Sequence, residues 1–328
     1  MPIPFAQVGS LEGLAANLGC APSDLSDFAV ADQRPFYSRL EIPKRGKRRG
    51  QFRIIHRPIQ RLGLIQKNIA QWITSSTQFD TCVQGFVPRR SIGTNARLHL
   101  GASRVLHVDI RDFFDSITIE QVERAFSTLG CVAQIAKTLA RISTLNGQLP
   151  QGSSSSPALA NLVCRHLDAD LLTLARGSNC QYSRYADDIT ISGNELPEIR
   201  SVAGIIATHG FALRDEKCRV QRRGRSQYVT GLTVADRLKP RVPRVQKRRL
   251  RLQMYYATRF GVGGHLDRTQ SDLTVPEELA RLHGWINFIY SVEGSGSLFE
   301  QWKKLEAHES TLGIEDAPRP SDGYSGES

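Results

Sequence analysis

Apolar residues recur along this chain with two periods, and the changes of period mark its elements. Leu11, Leu14, Ala15 and Leu18 stand at helical spacing and predict a short helix in an N-terminal cap over residues 1–35. The polar, glycine-punctuated stretch Lys44-Arg45-Gly46-Lys47-Arg48-Arg49 reads as a loop. Gln51-Phe52-Arg53-Ile54-Ile55-His56 reads as extended chain, stopped by Pro58. Leu62, Ile65, Ile69 and Trp72 then keep helical period to about Thr77. Val105-Leu106-His107-Val108-Asp109-Ile110 has the apolar density of a buried strand and carries a carboxylate at its end. Ile119, Val122, Phe126 and Leu129 predict a helix, and a second runs to about Ile142. Pro157 suits a first helical turn, where its missing N–H costs little, and Leu159, Leu162, Val163, Leu167, Leu171 and Leu174 predict one long helix after it. Tyr182–Tyr185 and Ile189–Ser192 predict two strands around the tight turn Ala186-Asp187-Asp188.

Beyond this hairpin the spacing predicts a helix over 196–208 and short strands at Ala212–Leu213, Arg219–Gln221 and Tyr228–Val234. After Pro243 the pattern turns wholly helical, with helices over 244–260, 276–290 and 297–308. Two prolines among basic residues place a boundary near 236–243. The stretch from Gly313 to Ser328 is rich in Pro, Gly, Ser and Asp and is expected to be disordered. No internal repeat is visible.

With 328 residues and 40% hydrophobic content, the chain can bury a real core. No run approaches the ~18 apolar residues of a membrane span. The opening MPIPFAQVGSLEGL lacks a basic segment followed by an apolar one, so no secretory signal is expected and the cytoplasm is the expected compartment. Six cysteines stand singly with no C-x-x-C pair, which argues against structural zinc or a disulfide framework and for small core residues. Lys plus Arg is 43 against 32 Asp plus Glu, a net charge of +11 that favours a polyanionic partner. The excess is clustered at Lys44–Arg49, Arg219–Arg225 and Lys239–Arg251. Any one cluster reads equally well as a solvated face.

The candidate chemistry lies in carboxylates. Asp187 and Asp188 are adjacent, and a tight turn can present both near one place. Like charges at such proximity repel unless a cation sits between them. By itself the dipeptide is more often an ordinary hairpin turn. Asp109 changes the balance, because the end of an apolar strand is a poor place for an unpaired charge. It is either a buried salt-bridge partner or the third carboxylate of a metal site. Hard Mg²⁺ takes a few carboxylates, waters and substrate phosphates, and two such ions ~3.5–4 Å apart serve nucleotidyl transfer.

At this point the residues resemble a known family, the reverse transcriptases, over roughly residues 50–240. Tyr185-Ala186-Asp187-Asp188 matches the Y-x-D-D box, and Asp109-Ile110-Arg111-Asp112-Phe113-Phe114 matches the first aspartate motif. Leu149-Pro150-Gln151-Gly152 with Ser156-Pro157 matches the Q-G…S-P box, and Gly210-Phe211…Lys217 matches the segment after the catalytic hairpin. The resemblance implies an α+β right-hand polymerase: fingers and palm built of an antiparallel sheet packed on helices, then a helical thumb. The corresponding segments are a cap and basic loop over 1–50, fingers and palm over 51–240, a thumb over 241–312 and a tail over 313–328. It implies that Asp109, Asp187 and Asp188 hold two Mg²⁺ ions, replaceable by Mn²⁺, with the Ile110 carbonyl as a further ligand. Phe114, five residues after Asp109, takes the steric-gate position that excludes a ribose 2′-hydroxyl. Its other reading is core, since Phe113 adjoins it and only one of the two can face the site. Arg53 would pair with the dNTP triphosphate, where a guanidinium bonds bidentately. Gln151 and Gly152 would line the nucleotide pocket, and Lys217 would donate a proton to pyrophosphate, although an exposed lysine is the commoner role.

Within the family the sequence is similar to bacterial retron reverse transcriptases. Asn95-Ala96-Arg97-Leu98-His99 matches their N-A-x-x-H element, and Val229-Thr230-Gly231 matches their V-T-G element at the primer grip. Ser153-Ser154-Ser155 departs from the commoner A-P-T and leaves the catalytic positions untouched. The resemblance implies copying of a structured noncoding RNA, primed from a 2′-hydroxyl, into a branched RNA–DNA hybrid, often in phage defence beside an effector protein. Asn95, His99, Val229, Thr230, Gly231, Arg248 and Arg249 become candidate contacts to RNA or primer. Whether Asn95 and His99 touch RNA or only pack a helix stays open. Arg248, Arg249 and Arg251 cannot all face one side of a helix.

Overall fold

A computed structural model describes residues 4–30, 32–43, 50, 52–294 and 297–311. The Lys44–Arg49 cluster and the tail from Gly313 lie outside them. The chain divides into two compact units between Thr230 and Gly231, upstream of the proline-marked stretch. Val242 explains the shift: it is buried, and its N–H donates to the Glu293 carboxylate at 2.8 Å, which ties 236–243 to the C-terminal helices.

The first unit opens with α1 (Leu11–Leu18), whose Ser10 cap accepts from the Gly13 N–H at 3.1 Å, and α2 (Pro22–Phe28). Strands β1 (Tyr37–Pro43) and β2 (Phe52–Pro58) pair antiparallel, Tyr37 opposite Pro58 and Pro43 opposite Phe52. Helix α3 (Gln60–Ser76) buries Leu62, Ile65, Ile69, Trp72 and Ile73, the face its spacing predicts, and the Phe5 ring stacks on Trp72 at 3.7 Å. Helix α4 (Ile92–Arg97) starts from a reciprocal Ser91–Thr94 capping box. After β3 (Arg104–Asp109) come α5 (Ile119–Thr128) and α6 (Ala133–Ser143).

Where the leucines predict one long helix there are two, α7 (Ser156–Val163) and α8 (Arg165–Gly177), parting at Cys164. Leu159, Leu162, Leu167 and Leu171 are buried on both sides of the break, so the apolar spacing runs through it and hides it. Strands β4 (Gln181–Tyr185) and β5 (Asp188–Gly193) form the expected hairpin, followed by α9 (Ile199–Thr208) and β6 (Arg219–Arg222). The strand expected at Ala212–Leu213 reduces to a single bridge between Leu213 and Ile110. That expected over Tyr228–Val234 is interrupted where Thr230 and Gly231 take φ of 45° and 85°.

The central sheet has the order β4-β5-β3-β6, all antiparallel. Val105 through Asp109 are buried, which accounts for the near-continuous apolar run of β3. Four of the six cysteines are buried, in the core role expected of them.

In the second unit, helix α10 (Arg244–Thr269) runs past its expected end at 260, because helical hydrogen bonding resumes after a kink at Gly261 (φ 71°, ψ 159°). Helix α11 (Val275–Glu293) carries a Thr274–Glu277 capping box and ends on Gly294 in the left-handed region. Helix α12 (Ser297–Thr311) completes the unit. Buried Glu293 is satisfied by Val242 and by the Lys247 ammonium, at 2.8 Å each. No helix of the described residues is long and apolar enough to cross a membrane.

Candidate active site

Antiparallel pairing of β3 with β5 sets Asp109 opposite Asp188. Side chains of directly opposed residues share a face, so register alone brings these two carboxylates together. The turn supplies the third. Ala186 takes φ 57°, and the Ile110 N–H donates to the Asp187 carbonyl at 3.0 Å, which holds the turn against the end of β3. Asp109 is buried, Asp187 half-buried, and Asp188 opens to solvent at its outer side.

The electrostatics of the trio are unfavourable without a cation. Burial, then the nearby Asp109 charge, pushes the Asp187 carboxyl up. Burial, then Asp187 and Asp109, pushes that of Asp188 up to about 6. Asp109 Oδ1 is buried and accepts no hydrogen bond. Positive charge at Asp109 comes from Lys217, whose Nζ bonds Oδ2, and from Arg214, whose Nη1 lies 3.5 Å from Oδ1. As the side chains stand, no three His, Cys, Asp or Glu among the described residues are gathered into a ready metal cage. An orphaned buried oxygen and mutually repelling carboxylates nevertheless fit a divalent cation.

Of the three aspartates, Asp187 lines an open cleft of the first unit. Arg53, Phe114, Gln151 and Lys217 line it too. Both phenylalanines line the cleft, Phe113 buried in the core and Phe114 half-buried and the more exposed of the two. Gln151 is tied to the β1–β2 hairpin, its carbonyl accepting from the His56 N–H at 2.7 Å. Gly152 takes φ 118°, and a Cβ there would stand 2.6 Å from Ile55 Cγ2, so only glycine lets the hairpin seat this closely.

Of the two roles left open for Asn95 and His99, their surroundings match packing. Asn95 and His99 are each 1% exposed, beneath the β4–β5 hairpin. Ser183 Oγ donates to Asn95 Oδ1 at 2.6 Å, and the His99 nitrogens lie 2.7 Å from Ser183 Oγ and Ser192 Oγ. With the Ser183 proton committed to Asn95, Nε2–H donates to Ser183 and Nδ1 accepts from Ser192, which assigns the tautomer from the network. These residues pack the hairpin from below. The Val229 side chain is also fully buried. Thr230 Oγ1 donates to the Ile92 carbonyl at 3.1 Å, and Gly231 takes φ 85°. In the second unit Arg248 and Arg249 are both exposed on α10, on different sides of it.

Residues that the sequence motifs did not single out hold the turn in place. Arg184 is wholly buried and grips Asp168 bidentately, at 2.7 Å for both bonds. Its Nη1 also donates to Asn161 Oδ1 at 3.1 Å and to the Ala186 carbonyl at 3.2 Å. Tyr182 shares the strand face of Arg184 and donates to Asp168 at 2.6 Å. Gly85 lies under the same turn: its carbonyl accepts from Asn161 at 2.8 Å, and a Cβ there would stand 2.5 Å from the Ala186 nitrogen. Phe86 follows it with φ 60° and 40% exposure, its ring 6.1 Å from that of Phe114. A charged residue on the inward face of an alternating strand was the available signal for Arg184. Nothing local marked Gly85 or Phe86.

An antiparallel sheet whose register and adjoining turn bring three aspartates together beside such a cleft, with a basic side chain on the buried one, has the arrangement of a polymerase palm. Residues 42–241 match the reverse transcriptase (RNA-dependent DNA polymerase) family, and the chain belongs to that family. Among its relatives is the retron Mx65 reverse transcriptase of Myxococcus xanthus, 34% identical over 273 residues that cover 76% of this chain and 63% of that one. The retron Ec86 reverse transcriptase of Escherichia coli is 29% identical over 261 residues, covering 78% and 77%. The retron Mx162 reverse transcriptase of Myxococcus xanthus is 32% identical over 290 residues, covering 76% and 59%. This chain thus spans less than two thirds of both Myxococcus relatives.

Proposed function

We propose that this chain is the RNA-directed DNA polymerase of a retron, copying a structured noncoding RNA into a branched RNA–DNA hybrid. The observation that carries the polymerase reading is the Asp109–Asp188 register with Asp187 on the adjoining turn and one buried Asp109 oxygen left without a donor. Kinship to retron enzymes supports the subclass. Asp109, Asp187 and Asp188, with the Ile110 carbonyl, would hold two Mg²⁺ ions, for which Mn²⁺ can substitute. Bound there, the metal supplies Lewis-acid stabilisation of the reacting phosphoryl oxygens.

The chain's own side chains do the rest. Arg53, exposed on β2 and facing the cleft, binds the triphosphate of the incoming dNTP. Phe114 occludes the space a 2′-hydroxyl needs, and Gln151 and Gly152 shape the pocket beside it. Lys217, already at the carboxylate centre, donates its proton to the departing pyrophosphate. Thr230 and Gly231 present backbone to the primer, and Arg248 and Arg249 meet duplex phosphates, contacts that position nucleic acid without reading sequence. The RNA serves as template and primer, and the RNA–DNA product stays bound. A role in phage defence beside an effector protein follows from the same reading.

The test is the nucleic acid that copurifies with the chain expressed from its native locus. A branched RNA–DNA species whose DNA portion survives ribonuclease is expected. Its absence, with primer extension intact, would remove the retron assignment and leave the polymerase.

A further inference from the structure

No residue of the second basic cluster of the sequence lines the cleft. Four of the seven residues from Arg219 to Arg225 are arginine and none is acidic. Strand β6 is the outermost strand of the central sheet, and its register sets Arg222 directly opposite Arg104 of β3. Both are exposed. Like charges directly opposed across an antiparallel pair destabilise it. Just beyond, the Arg223 N–H donates to the Ser103 carbonyl at 2.8 Å, and the Arg225 N–H to the Arg222 carbonyl at 3.2 Å around Gly224 (φ 87°). This tight turn gathers Arg222, Arg223 and Arg225 beside Arg104. Among the described residues none of the four guanidinium groups pairs with a carboxylate.

Two arginines near the carboxylate centre differ, since both have counter-charges: Arg184 on Asp168, Arg214 on Asp109 and Asp112. Four guanidinia held together by backbone hydrogen bonds, with a repulsive cross-strand pair at their centre, are a surface without a counter-charge among the described residues. Arg104 and Asp109 lie at opposite ends of β3, about 17 Å apart at strand rise, so the surface is separate from the carboxylate centre. A guanidinium fork suits phosphate, and a turn of closely spaced forks suits a run of phosphates.

We infer that the β6 edge and its Arg222–Arg225 turn are a second nucleic-acid surface, which takes the phosphate backbone of RNA lying outside the template–primer cleft. The inference rests on the reading of this chain as an RNA-using polymerase. It gives the enzyme a grip on its RNA that does not depend on the strand being copied.

The test uses the full chain and a triple variant, Arg222→Gln with Arg223→Gln and Arg225→Gln. The probes are poly(rA) primed with oligo(dT), one short enough to fill only the cleft and one with a long single-stranded extension. The variant is expected to bind the long probe about tenfold more weakly at low salt, with the slope of log affinity against log salt reduced by about 2. Extension of the short probe is expected to stay at the wild-type level. The single change Arg222→Gln is expected to keep or raise Tm, because it relieves the repulsion with Arg104. Unchanged affinity and salt slope on the long probe would overturn the inference and leave the surface to an acidic protein or to solvent. An equal loss on both probes would also overturn it, by assigning the arginines to the cleft. A marked fall in Tm for Arg222→Gln would do the same, by giving that side chain a structural role. Failure of the wild type itself to extend the short probe would strike the polymerase reading instead.

Discussion

Gly85 offers a quantitative check on how the catalytic turn is held. Replacing it with alanine would place a Cβ 2.5 Å from the Ala186 nitrogen, 3.1 Å from the Tyr185 carbonyl carbon and 3.2 Å from the Tyr185 Cα. All three are backbone atoms, so no flexible side chain can swing away. Ordinary contact begins near 3.4 Å; the turn must therefore retreat by about 0.9 Å. It cannot retreat freely, because Arg184 holds the Ala186 carbonyl and Asn161 holds Gly85 itself. The strain divides between lost stability, about 1–3 kcal/mol for overpacking of this kind, and displacement of Asp187 and Asp188. A misplacement near 1 Å costs about 100-fold in rate. Gly85→Ala is accordingly expected to lower kcat for primer extension by about two orders of magnitude, with KM for dNTP little changed and a cooperative thermal transition retained at lower temperature. Steady-state extension beside thermal unfolding reads both quantities. A folded variant with wild-type kcat would refute the claim that Gly85 sets the position of the carboxylates.

Other expectations follow from the same geometry. Arg184→Met should cost about 3–5 kcal/mol in denaturant unfolding, because it leaves Asp168 buried without its partner; a loss below about 1 kcal/mol would show that the pair is not a brace. Phe114→Ala should admit ribonucleotides, read as a fallen ratio of dNTP to rNTP kcat/KM, whereas an unchanged ratio would make Phe114 a wall and not a gate. Burial lowers the His99 imidazole to about 3 and that of His107 to about 4, from 6.5. The unfolded chain therefore takes up protons on both as pH falls through 6.5, while the fold refuses them until far lower. Their stabilisation is complete above that pH and is lost progressively toward pH 4 and 3. His99→Gln should flatten this acid limb, and an identical pH profile would contradict the buried assignment.

The sequence and the structure agree most closely where burial repeats with a clear period. The α3 face from Leu62 to Trp72, the buried strand ending at Asp109 and the hairpin around Ala186 could all be read directly, because each is a local consequence of which side faces the core. The break at Cys164 could not, since the apolar spacing continues through it. The three aspartates were legible as a set only through their motifs; what joins them is a register between strands separated by some eighty residues of chain, which no local pattern encodes. Asn95 and His99 stayed open for the opposite reason. Polar residues in a recognisable motif suggest a ligand, but these two satisfy each other's serine neighbours beneath the sheet. Arg184, Gly85 and Phe86 escaped notice because their roles exist only once the turn is folded above them.

The central claim is that Asp109, Asp187 and Asp188 form the centre of an RNA-templated DNA polymerase. Its most direct test is extension of a DNA primer on an RNA template by the purified chain with Mg²⁺ and dNTPs, beside Asp187→Asn at matched protein concentration, with binding of the same template–primer measured for both. The account predicts extension by the wild type, none detectable from Asp187→Asn, and equal binding by the two. Equal extension by both proteins would contradict it.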